Sequence, residues 1–150
     1  MTTQAPSAGA RIVVGVDGSK PSQLALSWAV RMSATTGASI DAVMAWHFPV
    51  NFGWGYVTDA WDPIADATKC LTDSVDEVFG AERPAGLRLL VRQGLPAKVL
   101  LDESKGATML IVGSRGHGGF SGLLLGSVSA NCAEHATCPV LVIHGDQPAP

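Results

Sequence analysis

The chain has 150 residues and a mass of 15.5 kDa, the size of one domain rather than two. Apolar residues make up 47% and charged residues 15%, so the chain can bury a real core and does not read as a disordered tail. A net charge of -3 and a pI of about 5.7 argue against DNA, RNA or anionic membrane as a partner, because neutralising phosphates takes clustered Lys and Arg.

Residues 1–10 are small and polar, with neither a basic n-region nor an apolar h-region, and are expected to be a disordered lead-in. No apolar run approaches the roughly 20 residues that span a bilayer, so a soluble, cytoplasmic protein is expected. The domain is expected over residues 11–145, with 146–150 a flexible tail.

Arg11 to Val16 is a β-branched run that ends in Asp17-Gly18-Ser19, a turn and helix cap, and predicts a buried strand followed by a helix. Pro21 suits the first turn of that helix and Gly37 stops it. Ser39 to Trp46 is the second strand, and the aromatic, Gly-rich stretch from Asn51 to Tyr56 is a loop. Asp59 to Phe79 predicts a long amphipathic helix, with apolar residues at Ile64, Ala67, Leu71, Val75 and Val78. A third strand runs from Leu87 to Arg92, and a helix from Pro96 through Leu101 ends by Gly106. The fourth strand is Thr108 to Val112, a last helix lies within Leu123 to His135, and Cys138 to His144 is the fifth strand.

Five strands alternating with four helices imply a single doubly wound α/β domain, a parallel sheet with helices on both faces. Ligands in such folds sit beyond the C-terminal strand ends, where Asp17 and Gly113 both fall.

From Gly113 the sequence reads GSRGHGGFSGLLLGSVSAN, with two residues between Gly113 and Gly116, nine between Gly116 and Gly126, and Ser127 next. Glycines let backbone N–H groups approach phosphate oxygens, and a helix beginning near Ser127 adds free amides and a positive dipole end. Arg115 is the sole Lys or Arg after Lys105, so a phosphate site here relies on backbone donors. A Walker A loop requires a Lys that is absent, and the dinucleotide pattern starting at Gly116 and Gly118 meets Ser121 where its third glycine belongs.

This G-x2-G-x9-G-[ST] loop after the fourth strand, together with the Val-Asp-Gly-Ser turn after the first, resembles the universal stress protein family over nearly the whole chain. The resemblance implies a sheet of order 3-2-1-4-5 and, in the branch that keeps the loop, ATP across the ends of strands 1 and 4. On that basis Gly113, Gly116, Gly126, Ser127 and Val128 correspond to triphosphate and ribose contacts. Val112 precedes the loop, Asp17 is the acidic residue near the nucleotide, and Ala45 is an adenine-contacting backbone position. Gly15, Ser114, Arg115, His117 and Gly118 complete the candidate binding set. Mg²⁺ accompanying ATP would reach Asp17. Pairing of the last strands, Val140 to Ile143, as an open sheet edge implies a homodimer.

Several residues also have plainer readings. Asp17 can serve the helix N-cap with Ser19 as well as a ligand. Arg115 and His117 are ordinary loop residues that also lie near the expected phosphates. His47, His135 and His144 are scattered without metal-ligand spacing. Trp46, Trp54, Tyr56 and Trp61 suit core or lid packing, or a platform for adenine. Cys70, Cys132 and Cys138 have no C-x-x-C spacing, and an odd count cannot close into intrachain disulfides; Cys132 and Cys138 read as small buried hydrophobes.

No catalytic constellation stands out, so the expected function is a regulatory ATP-binding module of the stress response rather than an enzyme. The alternatives are a slow ATPase or autophosphorylating protein, with Ser127 or Ser114 receiving phosphate, and a binder of AMP or cyclic AMP.

Overall fold

A computed structural model describes residues 9–48, 61–115 and 125–145. Along them run β1 (Arg11–Gly15), α1 (Lys20–Thr36), β2 (Ser39–Trp46), α2 (Pro63–Phe79), β3 (Leu87–Gln93), α3 (Pro96–Glu103), β4 (Met109–Gly113), α4 (Ser127–His135) and β5 (Val140–Ile143). The strands form one parallel sheet of order β3-β2-β1-β4-β5, as the sequence resemblance implied.

The differences from the sequence reading lie at element ends and have local causes. α2 starts at Pro63, because Asp62 caps it by accepting from the Ala65 N–H at 3.0 Å. β5 starts at Val140 rather than Cys138: Pro139 has no N–H to donate, and contributes only its carbonyl, to Leu110 N–H at 2.9 Å. β4 is shifted by one residue to Met109–Gly113, and β3 reaches Gln93 through the β2 pairing.

Side chains alternate across the sheet and so divide the core in two. Ile12, Val14, Ile40, Ala42 and Ile111 face α1 and α2, where Leu26, Ala29, Leu71 and Val75 are buried against them. Val13, Val43, Leu110 and Val112 face α3 and α4, meeting Val99, Leu100 and Cys132. Both faces are covered, which is why the strands are apolar on successive residues. Each fully buried Leu, Ile or Val contributes about 1.5–3 kcal/mol.

Among the described residues one charged side chain sits in this core. Asp41 on β2 is 1% exposed and lies directly opposite Arg88 on β3, whose Nε and Nη2 donate to its two carboxylate oxygens at 2.9 and 2.8 Å. Arg11 approaches the same carboxylate at 3.7 Å and donates to the carbonyls of Glu103 and Lys105, each at 2.7 Å. A cation thereby closes the C-terminal end of α3 and fixes that helix against the sheet.

Candidate functional site

The connections from β1 and β4 leave toward opposite faces of the sheet, and a crevice opens beyond their C-terminal ends. A cavity of about 290 Å³ lies there. Its inner wall is apolar: Val43 and Ala45 from β2, Val112 from β4, and Pro96 and Leu100 from α3. Its rim is polar, formed by the Asp17 turn, Arg115 and the first turn of α4.

The rim on the β1 side is built by a short network. Gly18 has φ +84°, a left-handed turn that suits glycine. The chain reverses there, and Asp17 Oδ1 accepts from the Ser19 N–H at 2.9 Å and from the Ser19 hydroxyl. Ser19 caps α1, its Oγ accepting from the Ser22 N–H at 3.4 Å, while the Ser22 hydroxyl donates to the Ser19 carbonyl at 2.9 Å. Asp17 therefore serves the cap through Ser19 and still lies exposed at the cavity.

Gly113 brings β4 against the start of α1. A Cβ there would stand 2.7 Å from Pro21 Cβ and 2.9 Å from the Pro21 carbonyl carbon. The position needs glycine for packing, independently of any ligand. At Gly15 a Cβ would meet Leu100 Cδ1 at 2.7 Å, the end of a side chain that borders the cavity.

The α4 side is held by Ser114. Its N–H donates to Ile143 of β5 at 2.8 Å, and its carbonyl accepts from the Gly126 N–H at 2.6 Å and the Ser129 hydroxyl at 2.9 Å. Gly126, the N-cap of α4, offers no side chain to its helix, so the amides of Ser127 and Val128 have no acceptor among the described residues. These orphan donors and the positive end of the helix dipole favour an anion.

Of the candidate residues, Gly15, Asp17, Ala45, Val112, Gly113, Arg115, Gly126, Ser127 and Val128 border this one cavity. Ser114 does not: it is 4% exposed and lies behind the rim. Gly116, His117 and Gly118 lie outside the described residues, as do Trp54 and Tyr56. Sequence reasoning missed Val16, Ser19, Ser22, Val43, Pro96, Leu100 and Ser129. Val43 was accessible from strand alternation, two residues before Ala45, and Leu100 from its i,i+4 relation to Pro96.

Trp46 points to the opposite face from Ala45, into the cluster under α1 and α2. It meets Phe48 edge-on at 5.3 Å, and Phe48 meets Trp61 at 5.8 Å. This is packing, and none of the three rings borders the cavity.

Neither Cys70 nor Cys132 borders the cavity, and both thiols are shifted up. Burial raises Cys70 on α2, and the Asp17 charge raises it further. Burial, followed by the charge of Cys138, pushes Cys132 on α4 up to about 11. All three cysteines are free.

Comparison with known proteins gives a consistent set of relatives. The universal stress protein family profile matches residues 10–144. A universal stress protein of Mycolicibacterium smegmatis is 34% identical over 149 residues, covering 92% of this chain and 49% of the relative. The chain thus spans about half the length of the curated relatives it matches. Among solved structures, a universal stress protein in complex with cAMP is 29% identical, with a TM-score of 0.67 over 92% of this chain and 98% of that one. The fold is also that of a universal stress protein from Lactobacillus plantarum, 23% identical, with a TM-score of 0.69 over 90% of this chain and 97% of that one.

Proposed function

Since this chain belongs to the universal stress protein family, we propose that its cavity binds an adenine nucleotide, ATP with Mg²⁺ first, and that occupancy regulates partner choice in the stress response. The observation that carries this reading is the pairing of an apolar wall with the uncapped amides of Ser127 and Val128 across one cavity of about 290 Å³. Arg115 adds a positive charge at the rim. A base would lie along Val43, Ala45 and Leu100, and phosphates at the start of α4.

Asp17 suits a magnesium ion shared with the ligand's phosphates, because Mg²⁺ is commonly held by one or two carboxylates plus phosphate and water. When bound, the ion would offset repulsion between Asp17 and the phosphates. The chain's own part is to hold the Asp17 carboxylate in place through Ser19.

A second reading, AMP or cyclic AMP as ligand, is favoured by the cAMP complex of the 29% identical neighbour. In a slow phosphoryl-transfer reading Ser127 is the accepting hydroxyl, since Ser127 is exposed and Ser114 is buried. The second copy in a homodimer would add to β5, whose outer edge has no partner strand among the described residues.

Titration calorimetry with Mg-ATP, AMP and cyclic AMP tests the site. Saturable binding of at least one is expected, with Mg-ATP tightest. No heat from any of the three at millimolar concentration would refute the reading. Mass spectrometry after incubation with ATP separates binding from transfer by the presence of a Ser127 phosphopeptide. Light scattering at twice the chain mass is the expected result for the dimer.

A further inference from the structure

Among the described residues, Ser129 is the one hydroxyl that touches both ends of the segment between Ser114 and Gly126. It is 2% exposed, on the inward face of α4's first turn, and its Oγ lies 2.9 Å from the Ser114 carbonyl and 3.1 Å from the Gly126 carbonyl. A hydroxyl has one proton to donate, so it serves one carbonyl at a time. The Gly126 carbonyl already accepts from Ala130 N–H at 2.9 Å, as the opening bond of the helix, and the shorter contact is to Ser114.

The Ser114 peptide is a junction of three elements. Its N–H is donated to β5, its residue continues β4, and its carbonyl receives both donors from α4. With the Gly126 N–H and the Ser129 hydroxyl bound, both lone pairs of that carbonyl are used. The Gly126 bond alone is a single pivot at a helix end. Adding the Ser129 bond one turn away converts the pivot into a two-point attachment and fixes the direction of the α4 axis relative to β4.

We propose that Ser129 is a positioning residue: its hydroxyl locks the first turn of α4 onto the Ser114 carbonyl and so aims the Ser127 and Val128 amides into the cavity. The proposal rests on the nucleotide-binding reading for its effect on affinity, but not for its effect on α4. Without the hydroxyl, α4 keeps its fold and its core contact through Cys132, which is 0% exposed, but its first turn is held to the Ser114 carbonyl by the Gly126 bond alone, which then opens more readily. The bound phosphate then meets amides that are no longer held in one orientation.

The test compares wild type, Ser129→Ala and Ser129→Thr by amide exchange in the ligand-free protein and by nucleotide titration. In Ser129→Ala the Gly126 amide is expected to exchange about tenfold faster, the equivalent of one hydrogen bond, while the central amides of Val13 and Ile111 keep their rates. Nucleotide affinity is expected to fall by about the same factor, and Ser129→Thr, which retains the hydroxyl, to recover both. Unchanged Gly126 exchange in Ser129→Ala overturns the proposal whatever the affinity does. Weakened binding with unchanged exchange would make Ser129 a direct ligand contact instead. If wild type binds no nucleotide, the functional reading fails, and the exchange data still decide the role of Ser129.

Discussion

Gly113 and Pro21 are 92 positions apart in the chain, yet a methyl group on Gly113 would stand 2.7 Å from Pro21 Cβ. The Pro21 ring and backbone cannot swing aside without moving the start of α1. Gly113→Ala should therefore destabilise the protein by about 1–3 kcal/mol in urea unfolding, and Gly113→Val by more. Gly15→Ala meets side-chain ends alone, Leu100 Cδ1 at 2.7 Å and Val112 Cγ1 at 3.4 Å, and should cost less. Loss of ligand binding in a Gly113 variant is accordingly uninformative about ligand contact; Ser127 is the better probe.

Ser127→Asp places a carboxylate at the first residue of α4, where the helix dipole favours it and a phosphate would be repelled. The variant should melt no lower than wild type, with nucleotide binding weakened at least about tenfold. Calorimetry and thermal melting on the same sample check both. Unaltered binding would remove the α4 terminus from the site.

Asp41 accepts two charge-assisted hydrogen bonds from Arg88 while 1% exposed. Asp41→Ala should lose about 2–4 kcal/mol, measured by denaturant unfolding. Asp73, paired with Lys69 on the exposed side of α2, is the control, and its loss should be hard to measure.

Cys132 supplies a pH signature. Its folded value of about 11 lies above the ordinary 9.0, because burial disfavours the thiolate. The unfolded chain ionises first, so the contribution to stability is complete below pH 9 and is lost as pH rises through about 11. The loss is on the order of 2 kcal/mol, and Cys70, raised in the same direction, adds to it. Urea midpoints between pH 8 and 11 should fall less steeply for Cys132→Ala than for wild type.

How much of this was legible in the sequence depends on the range of the interaction that decides it. The strands were readable because burial on both faces demands successive apolar residues, and Ser39–Trp46 was bounded correctly at both ends. Caps set by one side chain, such as Asp62, shifted the ends of neighbouring elements. The glycine at 113 invited a ligand explanation, whereas its closest constraint is Pro21, a contact that no local pattern encodes. Ser114 likewise sits inside the glycine-rich motif but spends its backbone on β5 and α4. Pro96 became visible as cavity wall only once α3 was packed beside β1, and with it Leu100 one turn further along the same helix face.

The cavity draws its walls from residues as far apart as Gly15 and Ser129. During synthesis the strand that ends at Gly15 emerges well before its second neighbour, β4, which starts only at Met109, and the amides of Ser127 and Val128 follow later still. No shorter nascent chain owns the site. A nucleotide that fits it can therefore select the fully folded domain over partly folded forms, and its binding energy adds to the stability of the whole sheet rather than to any fragment.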